Sequence, residues 1–186
     1  MDEWLAPIVT SVDVDLLPGD SDPAAFLWPQ QPIHSCLFPR SARSTGFHSR
    51  SNPYACSLAN RRILGTSGQN VADVIRCSTI EGAMAALRKT LLWRHLAPTA
   101  PDTLCCYPFL DRDPFVIESA PDLYFVGNCD RFEQCWIPDP MDSKGGTLCI
   151  TVPDFSKTRT AVLVNLETLS CQAIVCQDLE LEFEDD

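Results

Sequence analysis

Three short turns gather the residues of this chain best suited to chemistry: Pro18-Gly19-Asp20-Ser21-Asp22-Pro23, Gly65-Thr66-Ser67-Gly68-Gln69-Asn70 and Gly127-Asn128-Cys129-Asp130. Asp20, Asp22 and Asp130 offer carboxylate oxygens, the donors that hard ions such as magnesium or manganese accept. The competing reading is turn chemistry, because an aspartate side chain readily bonds its own backbone two residues on. Asn128 suits a loop-fixing role. Ser67 has a nucleophile's hydroxyl, but no Gly-x-Ser-x-Gly elbow surrounds it and no histidine lies close by in sequence. The spacing of the turns matters more than any one side chain, since each follows an apolar run that reads as a strand.

Val12, Val14 and Leu16 alternate into the Pro18-Gly19 turn, after a short helix over residues 3 to 10 interrupted by Pro7. Arg62-Ile63-Leu64 leads into the second turn, and residues 70 to 76 then suit a helix. Leu123-Tyr124-Phe125-Val126 is a continuous apolar run, expected of a strand covered on both faces, and delivers the third. Between the first two turns, Pro23, Pro29, Pro32, Pro39 and Pro53 predict an extended connection without regular elements, packed down by Phe26, Trp28 and Phe38. A helix over about 79 to 96 is predicted from Ile80, Met84, Leu87, Leu91 and Leu92 on one face. Ser78 and Glu81 would form its capping box, and Pro98 and Pro101 would end it. A buried loop through Cys105-Cys106-Tyr107-Pro108-Phe109 is expected next. Strands at 147 to 152, 160 to 166 and 171 to 176, with short linkers, predict an antiparallel meander.

At 186 residues, with 45% apolar and 21% charged content, the chain fits one globular domain, taken as residues 1–177 ahead of an acidic tail at 178–186. Six of the last nine residues are acidic, which predicts a solvated, disordered end. The formal charge of −11 argues against direct DNA binding, which needs a basic face. No run approaches the roughly 18 apolar residues of a membrane span, and the acidic Met1-Asp2-Glu3-Trp4 start is unlike a secretory signal, so an intracellular chain is expected. The ten cysteines contain no Cys-x-x-Cys pair, and His34, His48 and His95 stand in no zinc-finger spacing. Reduced thiols packing as small hydrophobes are expected. His95 suits a helix-end cap, and Lys157 and Arg159 read as surface charge.

Longer segments around the turns resemble a known family. Pro29-Gln30-Gln31-Pro32, Leu64 to Val71, Pro98 to Thr103, Cys106-Tyr107-Pro108-Phe109, Asp113-Pro114-Phe115, Tyr124 to Asn128 and Val152-Pro153-Asp154-Phe155-Ser156 are similar, in order, to the C-terminal part of the small, B-type accessory subunits of eukaryotic DNA polymerase delta. Related subunits of polymerases alpha and epsilon share the same plan. The resemblance implies an incomplete calcineurin-like phosphoesterase fold, α/β (α+β), with β-sheets flanked by helices. In active relatives of that fold the three turns carry metal-binding histidines; here those histidines read Ser21, Ser67, Asn128 and Asp130, and Asp20 and Asp22 are the other degenerate metal-loop positions. Hydroxyls and amides are far weaker ligands than imidazole for a catalytic divalent ion.

The resemblance therefore implies no catalytic residues, no cofactor, and a nuclear scaffold serving DNA replication and repair. Its implied partners are the C-terminal metal-cluster module of the polymerase catalytic subunit and a further accessory subunit, with an indirect link to the sliding clamp and DNA and none to membrane. Trp28, Phe132 and Trp136 are candidate interface anchors. In that family an oligonucleotide-binding-like domain and the first half of the phosphoesterase domain come before the matching region, so the expectation is a fragment, an alternative start or an incomplete gene model. The alternatives are a weak metal-dependent phosphoesterase or nuclease working through carboxylates, and a truncated form that is inert or competes with the full subunit.

Overall fold

The computed structural model describes residues 1–139 and 145–176; the expected acidic tail lies outside them. Helix α1 (Asp2–Ile8) contains Pro7 and buries Leu5. It packs with Val9, Ile33, Phe38 and Phe47 as a small N-terminal cluster. Strand β1 (Val14–Leu16) pairs in parallel with β2 (Phe47–Ser49). The connection between them corrects the expectation of a featureless stretch, since 3₁₀ turns form at Ser35–Leu37 and Ser41–Arg43 and β2 follows. Asp2 anchors it by accepting from the backbone N–H groups of Arg40 and Ser41, each at 2.9 Å. A proline count cannot foresee a partner 38 residues away.

The main sheet has five strands in the order β3-β4-β5-β7-β6. Strands β3 (Tyr54–Leu58) and β4 (Arg61–Thr66) form an antiparallel hairpin, and β4 runs parallel to β5 (Leu123–Cys129). Beyond β5 lie β7 (Gly146–Pro153), parallel to it, and the antiparallel edge strand β6 (Glu133–Pro138). Neither β3 nor β6 is evident from sequence, because both are edge strands whose exposed positions dilute the apolar alternation. The three parallel strands β4, β5 and β7 are the ones that position the turns, for all end on the same side of the sheet.

Successive side chains alternate between faces, so β5 divides the core in two. Tyr124 and Val126 face helices α2 (Gln69–Cys77) and α3 (Ala83–Trp93), packing with Val71, Val74, Leu87 and Leu91. Leu123 and Phe125 face the other way, with Ile63, Leu148 and Ile150, toward Val162, Val164 and Cys171. These last belong to a hairpin, β8 (Thr160–Asn165) and β9 (Ser170–Val175), which follows the short helix α4 (Phe155–Thr158). The hairpin is a separate two-stranded sheet lying across the main one. That corrects the expected meander: β7 joins the main sheet rather than β8.

Helix α3 begins later than predicted, with Gly82 at φ 86° before it, and ends at Trp93, where Arg94 takes a left-handed conformation. The expected capping box is absent. Ser78 instead donates to the Val74 carbonyl at 2.6 Å and accepts from the N–H of Ile80 at 3.1 Å, closing α2. The prolines at 98 and 101 lie beyond the stop. Leu92 is 72% exposed, so it does not belong to the buried stripe of Leu87 and Leu91. Nor is the 105–109 loop buried. Tyr107 and Phe109 pack edge to face at 5.4 Å on the surface, and Cys106 packs against the core. No helix among the described residues is long and apolar enough to cross a membrane.

Candidate functional site

The three turns do converge. Residues 19–22, 67–69 and 128 line one cavity of about 740 Å³ at the carboxyl ends of β4 and β5, joined by Asp154 and Ser156 from the end of β7. Open α/β sheets place their ligand sites at this edge, because the loops after parallel strands open together there. Gly68 makes the approach possible. At φ 110° it adopts a conformation unfavourable to L side chains, and a Cβ would stand 2.5 Å from the Gly127 carbonyl oxygen. Asn128, at φ 55°, lies within an irregularity in the β5–β7 register between Val126 and Cys129, and its side-chain amide donates to the Ser67 carbonyl at 2.8 Å. Asp130, by contrast, is exposed beyond β5 and is not among the residues that line the cavity.

A hydrogen-bonded group of neutral side chains forms the cavity wall. Asn52, fully buried, donates through Nδ2 toward Gln30 Oε1 at 2.7 Å, Ser67 Oγ at 2.5 Å and Gln69 Oε1 at 3.1 Å. Its Oδ1 accepts from the Ser67 N–H at 3.2 Å. Ser67 Oγ donates to Gln69 Oε1 at 2.6 Å, and Gln69 Nε2 donates to Gln30 Oε1 at 2.9 Å. Gln30 Nε2 closes the network onto the first turn by donating to the Gly19 carbonyl at 3.2 Å. Sequence reasoning missed Asn52 as a site residue and treated Gln30 and Gln69 only as parts of matching segments. Gln30 and Gln69 stand beside a proline and a glycine turn, a weak signal; Asn52 has none, since its partners lie at least 15 residues away.

The carboxylates around this wall have structural partners. Asp22 Oδ2 accepts from the Gly19 N–H at 2.7 Å, closing its own turn. Asp154 Oδ1 accepts from the N–H and hydroxyl of Ser156, at 3.0 and 2.7 Å, and caps α4. The Ser156 hydroxyl and the Lys157 ammonium, 3.0 Å from Oδ2, hold its carboxyl below the usual carboxylate range. Burial alone would raise Asp73, but bonds from Thr103, at 2.6 Å, and Arg76 outweigh it and lower its pKa. No group of three His, Cys, Asp or Glu side chains among the described residues is placed to hold a metal ion. A hydroxyl and three amides already bonded to one another do not fit a catalytic metal pair.

The histidines lie elsewhere. His34 accepts from the Cys36 N–H at 3.2 Å, and His48 sits on β2. His95 does not cap α3. Its Nε2 meets Asp113 at 2.8 Å and its Nδ1 accepts from the Ala97 N–H at 3.2 Å. Of the candidate anchors, Trp28 is core at 1% exposure, whereas Trp136 on the edge strand is 47% exposed.

The sheet order and the three converging turns define a phosphoesterase-like α+β domain, and comparison with known proteins assigns its family. The profile of the B-type subunits of DNA polymerases alpha and epsilon matches residues 1–134, and the chain belongs to that family. It is 44% identical over 174 residues to DNA polymerase delta subunit 2 of Drosophila melanogaster, covering 94% of this chain and 40% of that protein. It is 46% identical to the DNA polymerase delta small subunit of Arabidopsis thaliana, covering 94% and 39%. The small subunit of Saccharomyces cerevisiae is 32% identical over 204 residues, covering 92% and 41%. The resemblance to the small subunits of polymerase delta is thus borne out, and the chain spans about two fifths of the length of these relatives.

Proposed function

We infer that the chain acts as a non-catalytic scaffold in a DNA polymerase delta complex, in the nucleus, during replication and repair. The observation that carries this reading is the wall of Gln30, Asn52, Ser67 and Gln69. Neutral side chains bonded to one another, with Ser67 at a matching ligand position among them, line the cavity where the turns meet, and they spend their hydrogen bonds on holding loops together. The cavity thereby becomes a rigid corner of the fold. Its partners on this reading are the catalytic subunit, through its C-terminal metal-cluster module, and a further accessory subunit that links to the sliding clamp. The body over 1–177 makes these contacts, and the acidic segment 178–186 is an appendage.

The competing reading, a weak phosphoesterase, draws on Asp20, Asp22, Asp73 and Asp154 lining the same cavity. Co-expression of the chain with the C-terminal module of a polymerase delta catalytic subunit separates the two. A one-to-one complex by size exclusion, with no divalent metal beyond that carried by the module alone and with phosphodiesterase activity no higher than in the Asp22→Ala variant, is expected. A chain that stays apart from the module, binds manganese and loses a measurable cleavage rate on Asp22→Ala would overturn the scaffold and establish the enzyme.

A further inference from the structure

Two of the ten cysteines stand directly opposite one another in the main sheet. The antiparallel register of β6 and β7 pairs Cys135 with Cys149, and no other strand pairing among the described residues sets cysteine against cysteine. Opposed residues of an antiparallel pair have Cα atoms about 4.5–5.5 Å apart, and a disulfide bridges Cα atoms about 4.4–6.8 Å apart. The register therefore brings the two thiols within bonding range without any slip of the strands.

Both side chains lie on the helical face. Cys149 is part of the core cluster with Leu87, Leu91 and Tyr124, the last its opposite on β5. Cys135 shares that face with Ile137, two residues on, which packs against the same cluster. Gln134 points the other way and meets the Cys171 thiol at 2.8 Å, so the sheet separates Cys171 from Cys135. Exposure divides the opposed pair. Cys149 is wholly buried, and burial, then the neighbouring Cys135, push its thiol up to about 12, against a smaller opposite effect of Arg88. Cys135 is half-buried on the strand at the border of the sheet, where a small solute reaches it from solution.

We propose that Cys135 and Cys149 are a peroxide-sensitive dithiol that closes to a cross-strand disulfide, with Cys135 oxidised first and Cys149 resolving it. The Cys135 thiolate attacks one oxygen of hydrogen peroxide and the O–O bond breaks. The departing hydroxide takes up the proton that Cys135 gave up and leaves as water, so that Cys135 becomes a sulfenic acid. The Cys149 sulfur then displaces the sulfenic hydroxyl: the S–S bond forms as the S–O bond breaks, and the hydroxyl leaves as a second water with the Cys149 proton. One peroxide is reduced by two electrons, and the two thiols supply one each. Little Cys149 is thiolate, but its fixed place opposite Cys135 replaces an encounter in solution. The bond staples the border strand that carries Trp136 to β7, whose far end delivers Asp154 to the cavity. A dithiol reductant reopens it by exchange.

Peptide mapping tests this on the full chain, reduced, freed of reductant, treated with hydrogen peroxide and then blocked with N-ethylmaleimide. Trypsin cuts after Arg131, Lys144 and Lys157, so the bond joins two otherwise separate peptides. The Cys135–Cys149 disulfide is expected at about tenfold the yield of any other pair. Dithiothreitol should remove it, and unfolding in urea before the peroxide is added should abolish the preference. In Cys149→Ala, dimedone should trap Cys135 as its sulfenic acid at about tenfold the wild-type yield, whereas Cys149 should stay unmodified in Cys135→Ala. The wild-type map decides the pairing by itself, whatever the core variant does to folding. A Cys135–Cys149 yield no higher in the native chain than in urea, Cys135 joined mainly to another cysteine or another chain, or sulfenic acid forming first at Cys149 overturns the proposal.

Discussion

Asn128 and Ser67, 61 residues apart, are joined by a 2.8 Å hydrogen bond from the Asn128 amide to the Ser67 carbonyl. Both occupy positions where the family resemblance would place histidine, yet the bond between them ties the turn after β5 to the turn after β4. In this chain the two residues act as fasteners between turns. Asn52 fastens in the same way, bonding to Gln30, Ser67 and Gln69 at once while wholly excluded from water.

Removing that buried amide should be costly. Asn52→Leu leaves the Ser67 N–H without its partner and takes one of two donors from each of the Gln30 and Gln69 oxygens, which keep the bonds from Gln69 Nε2 and Ser67 Oγ; an orphaned buried group costs about 1–3 kcal/mol. A fall in unfolding free energy of about 1–3 kcal/mol by urea denaturation is expected. A loss under about 1 kcal/mol would show that the network is dispensable.

Gly68→Ala tests the crossing of the two turns. It puts a Cβ 2.5 Å from the Gly127 oxygen at a φ of 110°, so the turns must separate. Strain of about 1–3 kcal/mol is expected, read as a lower melting temperature, whereas Gly82→Ala, with open space around its Cβ position, should cost less despite its φ of 86°.

Asp73 makes stability depend on pH in a definite direction. Its pKa is lowered in the fold, against burial, by Thr103 and Arg76. A depressed carboxyl contributes stability that is fully present above its unfolded pKa, about 3.9, and is lost as pH falls through the lower folded value. The difference in unfolding free energy between the wild type and Asp73→Asn should therefore be largest at neutral pH and shrink below about pH 4. An unchanged difference at about pH 3 would remove Asp73 from this account.

The cysteines should divide by reactivity. Burial, with a smaller effect from Cys135, pushes the Cys149 thiol up to about 12; burial and the Asp130 carboxylate do the same for Cys129. Because the thiolate is the nucleophile, iodoacetamide at about pH 8 should label exposed Cys36, Cys77, Cys105 and Cys176 well before these two. Early labelling of Cys149 in native protein, followed by mass spectrometry, would contradict its burial.

Asp22 distinguishes a turn-former from a ligand. Asp22→Asn keeps an acceptor for the Gly19 N–H and should cost under about 1 kcal/mol, while Asp22→Ala removes it and should cost about 1–2 kcal/mol. Addition of manganese should shift the melting temperature of neither variant relative to wild type. A manganese-dependent stabilisation confined to wild type would restore the metal reading.

The sequence by itself determined what is local. Gly, Asp and Asn in the three turns, the apolar runs of β1, β4 and β5 before them, and the helix that follows the second turn follow from backbone sterics and periodicity, and all are where those rules place them. Only the tertiary structure decided the rest. Edge strands β3 and β6 form because a neighbour supplies hydrogen-bond partners, not because their own pattern demands it. The hairpin of β8 and β9 leaves the main sheet because the face carrying Leu123, Leu148 and Ile150 needs cover. Gln30 and Asn52 joined the cavity wall through contacts between residues far apart in the chain. The physical reason is one of range: propensity and spacing act over a turn or two, whereas the burial of a polar group is settled only when the partners that satisfy it are brought together.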